Sequence, residues 1–133
     1  MSVILTPAEI DRVRSQLSSD GADLKVRRLA IAALDEIEAC EGDLEDAAIA
    51  LAIQAGMTPD TSDRWLEGLA KRCRPAICQS LVKQELLQEN INLAVDALAE
   101  ARVCPGLLLA PVAIYVWKTG AEAFCEPLDY KIN

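Results

Sequence analysis

Of the five cysteines in this 133-residue chain, only Cys73 and Cys78 stand close enough together to suggest shared chemistry. Their C-x4-C spacing is half of a zinc pattern, which needs a second pair or histidines to complete four ligands. Cys104 and Cys125 are the candidates, and neither belongs to a tight pair. The simpler reading is five free thiols acting as small buried hydrophobes, with no metal and no cofactor expected. An odd cysteine count at irregular spacing fits a reducing compartment. The short stretch before the first helix cap leaves no room for a secretory leader, so the cytoplasm is the expected location.

Cys73 is also flanked by Lys71, Arg72 and Arg74, and neighbouring cations lower a thiol's pKa. It falls, however, on the helical stripe of Trp65, Leu66, Leu69 and Ala70, which predicts that it points inward. The acidic run Glu41-Gly42-Asp43-Leu44-Glu45-Asp46 offers oxygen ligands, but a calcium loop alternates them over about twelve residues and ends in glutamate. This run turns apolar at Ala47, and Asp43 as a helix cap with Glu45 and Asp46 in the first turn accounts for it.

Histidine is absent, which removes Ser–His and Cys–His dyads and most zinc and iron sites. Glycines are scattered singly, so no phosphate-binding loop forms. Catalysis would rest on carboxylates, lysines or cysteines alone, and a non-enzymatic role is the better expectation. A net charge of −8 and a pI near 4.5 oppose affinity for nucleic acids and anionic membranes.

A generic helix-turn-helix pattern nevertheless runs through about 20 residues. Ala52 and Gly56 have its alanine-x3-glycine spacing, Leu51 and Ala55 are apolar, and Trp65 sits on a core position. Ser62 departs from the pattern at a position normally apolar. The would-be recognition helix opens with Thr61, Ser62 and Asp63, and its basic residues Lys71, Arg72 and Arg74 come at the far end.

The elements that would position these groups are helical throughout. Thr6-Pro7-Ala8-Glu9 is a capping box, followed by Ile10, Val13 and Leu17 at helical spacing. A break near Gly21 precedes a second helix over residues 23–40, whose interior from 29 to 34 is continuously apolar. A third helix over 44–55, capped by Asp43 and ended by Gly56, is apolar enough to be central. Asp60, Thr61 or Ser62 caps a fourth. Pro75 begins a segment to residue 102 that reads either as one helix about 40 Å long or as two broken at Asn90. After Cys104-Pro105-Gly106 comes a helix between 107 and 119, closed by Gly120, then a short turn of helix to Cys125. Residues 128–133 carry no helical pattern and are expected either as a loosely ordered tail or tucked against the bundle. The apolar stretch 103–117 is interrupted by Pro105, Gly106 and Pro111, too short and broken for the roughly 20 residues of a membrane span.

Aromatics make up only 4 %, so the core is aliphatic and small, which suits close helix packing. The expected fold is all-α: a compact single-domain bundle of about five to seven helices packed around residues 44–55 and 107–117. Its second helix opens with Lys25, Arg27 and Arg28 and closes with Asp35, Glu36 and Glu38, opposite to the order the helix dipole favours. These charges must find partners elsewhere. Within the chain, Asp11, Asp20 or the 41–46 run could serve. Otherwise the six residues form a patterned docking surface. The leading expectation is a protein–protein interaction domain, an adaptor or a self-associating subunit, with no nucleic acid or membrane partner. A helix-turn-helix regulator is the first alternative, and a histidine-free enzyme or apolar-ligand pocket the second.

Overall fold

The computed structural model describes residues 3–19, 23–59 and 64–132, with side chains in the last helix described to Pro127. The break expected at Gly21, Asp20 as a charge partner, and Asp60, Thr61 and Ser62 as caps lie outside the described residues. Among those described, the chain is helical, with nine α-helices and no strand, more segments than expected.

Local signals account for the first three helices. In α1 (Pro7–Ser19) the Thr6 N–H donates to Glu9 Oε1 at 2.9 Å and the Glu9 N–H to Thr6 Oγ1 at 3.2 Å, a closed capping box. In α2 (Leu24–Ala39) the Asp23 carboxylate accepts from the Lys25 and Val26 N–H groups. In α3 (Leu44–Gln54) Asp43 accepts from Asp46 N–H at 3.2 Å. Each cap satisfies amides that the first turn leaves without carbonyl partners.

Between α2 and α3 the chain reverses through Glu41 and Gly42, both at positive φ. The segment before α1 lies against this reversal: Leu5 N–H donates to Gly42 O at 2.9 Å and Leu44 N–H to Val3 O at 3.0 Å. A side chain at Gly42 would collide with the Leu5 carbonyl, so glycine is required for both its φ and the close approach.

α4 (Trp65–Arg72) and the short α5 (Arg74–Ile77) follow, then α6 (Ser80–Leu87) and α7 (Asn92–Ala101). The stretch 75–102 is therefore neither one helix nor two. Gln79 adopts an extended conformation before α6, and Glu89 turns left-handed (φ 66) after it. The second reversal is held from α1. Gln16 Nε2 donates to Glu89 O at 2.7 Å, Gln16 Oε1 accepts from Ile91 N–H at 3.1 Å, and Asn92 Nδ2 donates to Gln16 O at 3.0 Å. These bonds replace the intrahelical ones that a continuous helix would have made.

A 3-10 turn at Gly106–Leu108 leads into α8 (Leu109–Thr119), and α9 (Ala121–Ile132) continues past Gly120. α9 carries Pro127 inside it and its backbone is helical through residues expected as a patternless tail. α8 is the central element: it buries Leu109 to Ile114 continuously, and Val116, against α2, α4, α7 and α9. Ala110 and Ala113 let those neighbours approach closely. α3, expected to share the centre with the 107–117 segment, is buried along Leu44, Ala47, Ala48 and Leu51 but exposes Ile53 at its end. Buried apolar residues from Leu5 to Cys125 form one cluster. No single described helix is long and apolar enough to cross a membrane, and the pair Gly106–Thr119 and Ala121–Pro127 meets that length only across a 98° bend.

Candidate functional site

The six charges of α2 separate by face. Arg27 points inward and is 4 % exposed. Its Nη1 donates to Asn92 Oδ1 at 2.8 Å and its Nη2 to Asp96 Oδ2 at 3.1 Å, both on α7, while Nε has no hydrogen-bond partner. Arg27 is thus a buried tie between two helices and no part of an exposed surface, and its partner is none of the acids expected. At the other end, Arg14 of α1 reaches Asp35 at 2.7 Å and Glu38 at 3.5 Å. The hydrogen bond that Arg14 donates to Asp35 raises its pKa against the opposing effect of burial, with the charges of Asp35, Glu38 and Asp11 adding to it. Lys25 and Arg28 are exposed and Glu36 half-buried. The reversed charge order is therefore answered largely by α1 and α7.

Lys25 lies instead on the wall of a groove between the start of α2 and the end of α7. Two adjoining recesses, of about 400 and 440 Å³, share Asp23, Val26 and Ala99. One adds Asp96 and Glu100, and the other adds Lys25, Arg102 and Cys104 over an apolar floor of Leu29 and Leu109. Leu24, beside it in sequence, is 68 % exposed, and Val103 is 40 % exposed. Arg102 ends α7 in the left-handed conformation (φ 55), where glycine is the usual residue. Asp96, Glu100 and Arg102 carry no sequence signal that marks them as belonging with Lys25, since the groove exists only once α7 lies on α2.

The cysteines depart from expectation. Cys78 and Cys125 are joined by a disulfide, with Cα atoms 5.6 Å apart and a sequence separation of 47, so the expectation of five free thiols fails for these two. The reason is tertiary: α9 packs on α5 and α6, bringing together residues whose spacing says nothing. Cys73 is fully buried, as its helical stripe predicted. Its pKa is lowered by a hydrogen bond with Cys104 against the effect of burial, with help from Arg72, while the same contact and burial push the Cys104 thiol up. The Cys40 thiol is pushed up by burial and by the charges of Glu36, Asp46 and Asp43.

The other sequence candidates have local roles. Glu45 of the acidic run is 5 % exposed and its Oε2 accepts from Leu66 N–H at 3.3 Å, joining α3 to α4. Among the described residues no three Cys, Asp or Glu side chains gather as a metal site would require. In the helix-turn-helix stretch, Leu51 and Ala52 are buried, Gly56 is exposed, and Trp65 is half-buried at the start of α4, while Ser62 lies outside the described residues. α4 buries Leu66, Leu69 and Ala70 and holds Lys71 and Arg72 in its last turn. A smaller recess of about 290 Å³ is lined by Leu5, Pro7, Ile10 and Gly42 with Glu38 and Glu41 at its rim.

No protein-family model, curated protein or solved structure matches this chain.

Proposed function

We propose that this chain is a non-enzymatic helical interaction domain that self-associates through the groove between α2 and α7. The observation that supports this reading is the distribution of charge around the groove. The floor is apolar (Val26, Leu29, Ala99, Leu109) and the rim is charged, the anatomy of a protein interface with an apolar centre. Asp96 and Glu100 line one recess and Lys25 and Arg102 the other, with Asp23 common to both. A surface with opposite charges at its two ends is complementary to itself when rotated by a two-fold axis, the geometry of most homodimers. Each copy would then set its Glu100 end against the partner's Arg102 end, and exposed Leu24 and Val103 would be covered at the margin. Charge pairing of this kind fixes register and rejects wrong partners more than it adds raw affinity.

Sedimentation or light-scattering mass over a range of concentrations tests the proposal. The expected result is a reversible dimer weakened by Glu100→Arg or by Arg102→Glu alone, and restored when both changes are made in one chain. A chain that stays monomeric at high concentration, or a dimer indifferent to the single changes, overturns it.

A further inference from the structure

We infer that the Cys78–Cys125 disulfide is a redox clasp on α9: a dithiol reductant opens it, and α9 then swings away from α5 and α6 about Gly120. The inference does not depend on self-association, because no described α9 residue lines the groove between α2 and α7. Among its described side chains, α9 buries Ala121, Phe124 and Cys125 and exposes Glu122, Ala123, Glu126 and Pro127. One of the three buried residues is thus the clasp itself. Arg74 Nε donates to Phe124 O at 3.0 Å, with the guanidinium 5.0 Å from the ring centroid, and Lys83 pairs with Glu122 at 3.3 Å. The Glu122 side chain is 72 % exposed, so that pair holds little.

α9 depends on its docking. A helix of 12 residues is marginal in water without tertiary contacts. Pro127 inside it removes one N–H from the helical ladder. The helical segments Gly106–Thr119 and Ala121–Pro127 meet at 98° through Gly120 (φ 102), where nothing lies within 4 Å of a Cβ position, so the pivot is unobstructed. The disulfide spans a sequence separation of 47, and a crosslink over so long a loop removes much of the freedom that α9 would gain by undocking. Cys78 caps α5 just before the extended Gln79, on a break between helices, and is half-buried, whereas Cys125 has no exposure. A reductant R(SH)2 therefore attacks at Cys78. Its thiolate bonds to the Cys78 sulfur, the S–S bond breaks, and Cys125 leaves as a thiolate that takes a proton. The second reductant thiol then attacks the reductant sulfur of the mixed disulfide, forming a cyclic disulfide and releasing Cys78 as a thiol. Two electrons and two protons pass from the reductant to the chain.

The chain oxidised with glutathione disulfide is compared with the same chain after dithiothreitol. Acid quench, alkylation of the unfolded chain and peptide mapping follow the sulfurs, and amide exchange read by mass follows the helices. Cys73 and Cys78 share one tryptic peptide, because the Arg74–Pro75 bond resists cleavage, so fragmentation at Pro75 assigns each sulfur. The oxidised chain is expected to carry a Cys78–Cys125 crosslink. On reduction the α9 amides are expected to exchange about tenfold faster while those of α8 hardly change. Renewed oxidation should restore both the crosslink and the protection, and Cys125→Ser should show fast α9 exchange in either condition. The inference is overturned if that crosslink does not form or re-form, if α9 exchanges equally with and without it, if α8 accelerates as much as α9, or if Cys125→Ser protects α9 as well as the oxidised wild type does.

Discussion

Arg27 on α2 holds its guanidinium 3.1 Å from the carboxylate of Asp96 on α7, and the two partners differ sharply in exposure. The arginine side chain is 5 % exposed and the aspartate 33 %. Removing the aspartate would leave a cation inside the helix interface, whereas removing the arginine would leave an anion that still reaches water. Asp96→Ala is therefore expected to cost about 3 kcal/mol, in the range for breaking a buried pair from one side. Arg27→Met, which keeps the aliphatic stem and removes an unpartnered Nε, is expected to cost less than half of that. Urea unfolding of the two variants checks the order, and equal losses would contradict the asymmetry.

Gln16 supplies the bonds that let the chain break between α6 and α7. Its Oε1 accepts from Ile91 N–H, and Ile91 is fully buried. In Gln16→Ala that amide loses its partner, an expected loss of about 1–3 kcal/mol. Amide exchange should accelerate at Ile91 and Asn92 well before it does in α8. Uniform acceleration across the chain would mean that the clamp is not local.

Glu9 pairs with Lys118 of α8 while closing the α1 capping box. Burial alone would raise the Glu9 pKa, but the hydrogen bonds from Lys118 and the Thr6 N–H outweigh it and hold the carboxyl below its ordinary value. The unfolded chain thus binds this proton more readily than the folded one. The stabilisation is complete above the ordinary glutamate range and is lost as pH falls through the depressed native value. Glu9→Gln preserves the capping geometry. It is expected to lower stability by about 1 kcal/mol near neutral pH, as partly exposed pairs do. The gap from wild type should close as the solution is acidified, which thermal melts at several pH values will measure. A gap that persists once acid has protonated the carboxyl in both states would place the effect in packing rather than in charge.

The features legible from residue types alone are those settled within one helical turn. The Thr6–Glu9 box and the Asp43 cap were legible because donor and acceptor lie within three residues of each other. The inward stripes of Ile10, Val13 and Leu17, and of Leu66, Leu69 and Cys73, were legible because helical periodicity sorts side chains by face before any neighbour is known. The all-helical class follows from the same short-range information.

Other features depend on partners distant in sequence and emerge only when the helices pack. The spacing of Leu87, Ile91, Ala94 and Leu98 fits an unbroken helix, yet Leu87 is 53 % exposed and Ile91 buried, because Gln16 of α1 satisfies the Ile91 amide at the break. Lys25, Arg27 and Arg28 look alike as a run of cations, but rotation about the helix axis turns only Arg27 inward, where α7 supplies Asn92 and Asp96. Cys78 meets Cys125, and Cys73 meets Cys104, by the same route. A helix reports its own faces but not which helix will lie against them, and the groove, the buried cation and both sulfur pairs are properties of that second choice.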